Sequence, residues 1–106
     1  MVRITAADEI TTAYLIGEID HHEAKDIREE IDGSVERSLP RQLVLDFKDV
    51  TFMDSSGIGL VMGRYKLMQS LDGDLKLQNL PGHIKKVMKL AGLDQLGVLD
   101  DGGKTK

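Results

Sequence analysis

The chain contains no cysteine, which excludes a disulfide scaffold, a thiolate zinc site and a cysteine nucleophile. Long apolar runs are also missing, and no segment approaches the roughly 20 apolar residues that a membrane-spanning helix needs. The residues that follow Met1 show no signal-peptide pattern. We therefore expect a cytoplasmic protein that does not act at a membrane.

Aromatic residues and basic charge are scarce. The sequence has 2 Phe, 2 Tyr and no Trp, too few to build a surface on which bases or sugars stack. It has 14 basic and 18 acidic side chains and a net charge of −4, whereas a protein that grips nucleic acid needs a basic face to neutralise phosphates. A protein partner or a small polar ligand is therefore favoured over nucleic acid.

The patterns that are present alternate between strand and helix. The length of 106 residues suits a single domain over 1–106. Apolar residues at period two, or in short runs, predict strands at 2–6, 13–19, 43–47, 75–77 and 96–99. Apolar residues three and four apart predict helices between Asp20 and Pro40, from Ser56 to about Leu71, and from Pro81 to Gly92. For residues 100–106 we expect a flexible, frayed tail.

This β-β-α-β-α-β-α-β order predicts an α/β fold. Strands that alternate with helices join through right-handed crossovers into a mostly parallel sheet, here of four to five strands. Only a few polar residues around Asp8 and Glu9 separate the first two strands. The N-terminal strand is therefore expected to be antiparallel to its neighbour.

The segment richest in chemical information is D-S-S-G-I-G at 54–59, between a predicted strand and a predicted helix. Open α/β sheets place functional groups at such carboxyl ends of strands, and the free amides of a helix N-terminus stabilise an anion there. Gly57 and Gly59 leave the backbone uncovered, so that another molecule can approach closely. A serine in this place is also a common N-cap residue, so the pattern alone leaves the role of Ser55 open.

Enzymatic motifs do not match this segment. It lacks the G-x-S-x-G order of a nucleophile elbow and the G-x-x-x-x-G-K-S/T order of a phosphate loop. A dinucleotide loop would need a third glycine after Gly57 and Gly59 that is not at the required spacing. A small hydrolase would need His21 or His22 beside Ser55, and the sequence gives no sign of that arrangement.

A second junction, with Asp20, His21 and His22, follows another predicted strand. Parallel strands would bring it close to Asp54 at the same edge of the sheet. Asp20 is also a good helix N-cap. A metal site made of these four side chains is disfavoured, because adjacent residues on a helix point about 100° apart, and we predict none.

These two junctions, together with L-V-L-D-F at 43–47 and G-R-Y-K at 63–66, strongly resemble the anti-sigma factor antagonists with a STAS domain. The similarity is greatest to those that act on the anti-sigma F factor of spore-forming bacteria. It covers nearly all of residues 2–99, and its specific part is the D-S-S-G-(I/L)-G block followed by G-R-Y. It implies a STAS fold and a role in transcription regulation during sporulation. Family members commonly continue into a C-terminal helix, where this chain has the short segment 100–106.

The resemblance implies a phosphorylation switch. In this family the unphosphorylated protein binds an anti-sigma factor that is also a serine kinase, and the sigma factor is released. The kinase then phosphorylates one serine of the antagonist, which corresponds to Ser55 and not to Ser56, and a serine phosphatase reverses the mark. The partner-binding positions implied or expected here are Asp20, His21, Asp54, Ser56, Gly57, Ile58 and Gly59.

On this hypothesis the chain has no catalytic residues of its own, needs no cofactor and is a monomer when free. Two alternatives stay open. The first is a STAS scaffold or regulator outside the sigma F pathway, and the second is the small hydrolase that would use Ser55.

Overall fold

The computed structural model describes residues 1–99, which form a sheet of four strands with helices packed on it. The elements in chain order are β1 (Val2–Ala7), β2 (Ile10–Ile19), α1 (His21–Ser38), β3 (Gln42–Met53), α2 (Ser55–Ser70), β4 (Asp74–Gln78), α3 (Gly82–Leu90) and a 3-10 helix (Leu93–Leu96). The predicted α/β class and the predicted order as far as α3 are confirmed. The expected tail at 100–106 lies outside the described residues.

The sheet has the strand order β1-β2-β3-β4. β1 and β2 are antiparallel, while β2, β3 and β4 are parallel to one another, as the sequence predicts. The first two strands are joined by Asp8 and Glu9, which have φ angles of 55° and 66°. Positive φ at both loop residues matches the right-handed twist of a two-residue hairpin, although neither residue is the glycine or asparagine that such a turn prefers.

A large part of the core lies between one face of the sheet and the first two helices. Helix α1 packs on β1 and β2, α2 packs on β3 and β4, and the two helices contact each other. Alternate strand residues point to this face and are buried there: Ala13, Leu15, Ile19, Leu43, Leu45, Phe47, Leu75 and Leu77. The buried helix residues that meet them include Ile27, Ile31, Val35, Leu60, Val61 and Met68.

The strand expected at 96–99 forms only in part. Leu96 ends the 3-10 helix, and Leu99 forms an isolated parallel bridge with Leu77 of β4. Gly92 and Gly97 flank the 3-10 helix with φ angles of 84° and 73°. Glycine adopts this left-handed region without steric cost, so the chain turns tightly here instead of extending.

The arginine of G-R-Y-K, Arg64, joins α2 to α1 through an ion pair. Arg64 is buried, and its Nε lies 2.9 Å from Oδ1 of Asp32 on α1. Its Nη2 donates to the other oxygen of Asp32 at 3.3 Å, and its Nη1 donates to the carbonyl of Leu60 at 3.4 Å. Burial raises the pKa of Asp32, while the positive charges of Arg64 and Arg28 oppose the rise. Burial likewise lowers the pKa of Arg64, against the charge of Asp32.

The aspartate of L-V-L-D-F joins β3 to the end of β4. Asp46 is buried, and its Oδ1 accepts from the amide of Lys48 at 2.9 Å. Its Oδ2 accepts from the side-chain amides of Gln78 and Asn79, each at 2.9 Å. Because a buried carboxylate needs such donors, these contacts explain why an acidic residue can lie in an apolar strand.

Candidate functional site

Two strand-to-helix junctions lie side by side at one edge of the sheet. β2 and β3 are parallel, with Ile19 paired to Met53, so α1 and α2 begin next to each other. The amide of Asp54 donates to the carbonyl of Ile19 at 3.1 Å and so joins the two junctions directly. Asp20 and Asp54 therefore occupy equivalent positions, each immediately before a helix.

Both aspartates are N-caps. Oδ1 of Asp20 accepts from the amide of Glu23 at 2.9 Å, and Oδ1 of Asp54 accepts from the amide of Ser56 at 2.8 Å. The backbone of each is extended, as N-cap residues require. The hydrogen bond from the Glu23 amide holds the pKa of Asp20 below its ordinary value, with a smaller contribution from His22. The predicted capping role of Asp20 is confirmed.

Ser55 is the first residue of α2 and is exposed. Because Asp54 caps the helix, capping does not explain the serine that follows it. No hydrogen bond engages the Ser55 hydroxyl anywhere in the part of the chain that the structure describes. This hydroxyl therefore stands free in solvent at the positive end of a helix of 16 residues. Ser56, in contrast, is half-buried, and its amide is used by the cap.

The next three residues differ in what they offer to another molecule. Gly57 is buried, and a Cβ there would overlap the side chain of Met53, so this glycine lets α2 pack against the end of β3. Ile58 is half-buried against the core. Gly59 is exposed, and a Cβ there would meet no atom within 4 Å. Since Gly59 lies about one turn beyond Ser55, it presents open backbone surface next to the serine.

The two histidines are the first two residues of α1. Both are exposed, and their ring centroids lie 4.1 Å apart with a tilt of 36°. Within residues 1–99 neither imidazole forms a hydrogen bond with Ser55, so this geometry supplies no general base to the serine. Nor does that part of the chain contain a group of three or more His, Cys, Asp or Glu side chains that could hold a metal ion.

Two features of this edge were missed by sequence reasoning. Phe52 is 50 % exposed and lies beside Glu18 in the neighbouring strand. In addition, a cleft of about 330 Å³ between α1 and α2 is lined by His21, Lys25 and Arg28. The available signal for the cleft was the spacing of these three residues, which places them on one face of a helix.

Comparison with known families matches residues 1–101 to the STAS domain. The chain belongs to the STAS-domain family. The predicted family is thereby confirmed, and the site described above is the pair of strand-to-helix junctions of a STAS domain. No helix within residues 1–99 is long and apolar enough to cross a membrane.

Curated relatives of this STAS domain are anti-sigma factor antagonists. The anti-sigma F factor antagonist of Paenibacillus polymyxa is 34 % identical over 79 residues, which are 74 % of this chain and 68 % of the relative. The anti-sigma-B factor antagonist of Bacillus subtilis (strain 168) is 33 % identical over 82 residues, which are 77 % of this chain and 73 % of the relative.

Solved structures of a related antagonist share the fold. The anti-sigma factor antagonist SpoIIAA in its unphosphorylated form is 28 % identical, with a TM-score of 0.85 over 98 % of this chain and 90 % of that one. The Bacillus cell fate determinant SpoIIAA in the phosphorylated form is also 28 % identical, with a TM-score of 0.78 over 98 % of this chain and 93 % of that one.

Proposed function

We propose that this STAS domain is an anti-sigma factor antagonist that is switched off by phosphorylation of Ser55. The unphosphorylated form binds an anti-sigma factor that is also a serine kinase, and the sigma factor is released. Phosphorylation by that kinase lowers the affinity, and a serine phosphatase restores it. The observation that carries this proposal is the exposed Ser55 hydroxyl, unused by the helix cap, at the first position of α2.

The site supports the role of a kinase substrate better than that of an enzyme. A kinase brings its own nucleotide, magnesium and catalytic base, so the substrate needs to present only a reachable hydroxyl. Ser55 does this at the exposed start of α2. We therefore propose that the chain uses no catalytic residue or cofactor of its own, is a monomer when free and acts in the cytoplasm.

The electrostatics of the junction explain why a phosphate would act on binding more than on folding. A phosphoserine adds about −1.5 to −2 charges. The start of α2 stabilises this charge by about 0.3–1 kcal/mol, while the neighbouring carboxylates of Asp20 and Asp54 oppose it. In a complex, however, the same dianion must lose its water or face acidic groups of the partner. The phosphate therefore weakens the complex more than it destabilises the fold.

The solved relative supports a switch without refolding. SpoIIAA is known in unphosphorylated and phosphorylated forms, and this chain matches both over 98 % of its length, with TM-scores of 0.85 and 0.78. A fold that is recognisable in both states agrees with a phosphate that changes a surface rather than the core.

A second candidate is the same switch in a pathway other than sigma F. The anti-sigma-B antagonist of Bacillus subtilis is as similar to this chain as the anti-sigma F antagonist of Paenibacillus polymyxa, at 33 % and 34 % identity. Binding assays with the anti-sigma factors of both types from the source genome distinguish the two, because only the cognate one should bind tightly.

The test of the proposed function is phosphopeptide mapping after incubation with the cognate anti-sigma kinase and ATP. We expect one added phosphate, on Ser55. It should disappear in Ser55→Ala and persist in the matched control Ser56→Ala. Phosphate on Ser56, or none in the presence of a kinase shown to be active, would contradict the assignment.

A further inference from the structure

The cleft between α1 and α2 has the size and position of a recognition pocket. It has a volume of about 330 Å³, room for roughly ten water molecules at ~30 Å³ each. Helix α1 contributes Lys25 and Arg28 to its wall, and α2 contributes Ser56 and Gly59. One or two side chains of a docked protein can enter a space of this size.

The charge of the cleft is opposite to that of the whole protein. The chain carries a net charge of −4, yet Lys25 and Arg28 are exposed cations in the cleft wall. No carboxylate of residues 1–99 lies within ion-pair distance of either one. Asp32, whose charge interacts with that of Arg28, is already paired with Arg64.

The acidic residues that cap the two helices, Asp20 and Asp54, do not line the cleft. The carboxylates of Asp20 and Asp54 accept hydrogen bonds from the amides of Glu23 and Ser56 at the starts of the two helices. Among the described residues, those that line the cleft include no carboxylate. A positive pocket with unpaired cations is therefore left open between two helices of an acidic protein.

We propose that this cleft receives a carboxylate side chain of the anti-sigma factor and so forms the charged part of the docking surface. The inference rests on the proposed function, whose binding partner it describes in more detail. The net negative charge of the protein repels a carboxylate of the partner, whereas the cations of the cleft attract it. The cleft therefore determines where the partner docks and in which orientation. The occupant is a protein carboxylate, held by Lys25 and Arg28.

The cleft also adds a second component to the phosphorylation switch. Ser56 and Gly59 line the cleft. Ser55 immediately precedes Ser56 and lies about one helical turn from Gly59. A phosphate on Ser55 therefore arrives beside the cations that the partner's carboxylate needs. It competes for them as an intramolecular anion, in addition to repelling the partner directly.

The test measures binding of the cognate anti-sigma kinase to three single variants by titration calorimetry. Lys25→Ala and Arg28→Ala should each weaken binding by on the order of tenfold, and the salt dependence of binding should be shallower than in the wild type. Lys86→Ala is the matched control. Lys86 is an exposed lysine on α3, which does not line the cleft, and its loss should change affinity by less than about twofold. Unchanged melting curves of all variants show that the fold is intact.

The outcomes separate this inference from the proposed function. If Lys25→Ala and Arg28→Ala bind like Lys86→Ala while the wild type binds tightly, the carboxylate cleft is wrong and the antagonist function stands. If the wild type binds no anti-sigma kinase, both fail. The complementary charge reversal is decisive: Arg28→Glu should lose more affinity than Arg28→Ala, and equal or tighter binding would overturn the proposal.

Discussion

Replacing Arg64 with methionine should destabilise the fold by about 2–3 kcal/mol at neutral pH. Arg64 is buried and pairs with Asp32 through contacts of 2.9 and 3.3 Å. Breaking a fully buried pair by removing one partner costs about 3–5 kcal/mol. The Asp32 side chain is 30 % exposed, so its carboxylate keeps some hydration and the cost is reduced to about 2–3 kcal/mol. Methionine keeps the apolar length of the arginine stem, which limits the loss of packing.

The loss should shrink at acidic pH. Burial raises the pKa of Asp32 above its ordinary value of 3.8, and Arg64 opposes that rise. Without Arg64 the pKa of the folded state rises further. A carboxyl whose pKa is raised by folding binds more protons in the folded state than in the unfolded state. Its ionised form therefore destabilises the fold, and this destabilisation is absent below the unfolded pKa and grows as the pH rises through the folded pKa. The difference in the free energy of unfolding between Arg64→Met and the wild type is therefore largest at neutral pH and smaller near pH 4.

Urea denaturation followed by circular dichroism, at neutral pH and near pH 4, measures both effects. The double variant Asp32→Asn with Arg64→Met removes both charges and should recover more than half of the lost stability at neutral pH. A loss below about 0.5 kcal/mol in Arg64→Met, the usual effect of a surface substitution, would refute the reasoning. So would a double variant no more stable than the single one.

Three further predictions concern the caps, the hairpin and the glycines. Asp54→Ala should cost about 1 kcal/mol of unfolding free energy in urea, whereas Asp54→Asn keeps an accepting oxygen and most of the stability; equal losses would contradict the capping role. Glu9→Gly should raise the free energy of unfolding measured in urea by about 1 kcal/mol, because the turn holds Glu9 at a φ of 66°, and a lower free energy of unfolding would contradict this. In thermal melts, Gly57→Ala should lose about 1–3 kcal/mol through overlap with Met53, and its matched control Gly59→Ala should gain up to about 1 kcal/mol. If Gly59→Ala were less stable than Gly57→Ala, the packing described for Gly57 would be contradicted.

Most of the fold could be predicted because its elements have strong hydrophobic periods. The stripe of Ile27, Ile31 and Val35 predicts α1, and these residues are buried. β3 was underestimated, since it was predicted at 43–47 and extends to Met53. Its second half pairs with β2 through shifts in register, and such irregularity breaks the alternation on which a strand prediction depends.

The parts of the candidate site that depend on neighbouring residues in the sequence could be predicted, and the parts that depend on tertiary packing could not. Asp20 could be predicted as a cap because its neighbours along the chain supply the partner. For α2, however, aspartate and serine cap almost equally well, so only the backbone shows that Asp54 is the cap and Ser55 is free. The cationic wall at Lys25 becomes a cleft only when α2 packs beside α1, which no local pattern reveals.

The most direct test of the central claim compares the Ser55-phosphorylated and unphosphorylated proteins in binding to the cognate anti-sigma kinase, together with their backbone amide NMR spectra. The account predicts that phosphorylation weakens binding by on the order of 100-fold. It also predicts that amide shifts are confined to the starts of α1 and α2, because the helix end tolerates the added charge. Equal affinities would contradict the switch, and shifts spread through the sheet would contradict its action at the surface.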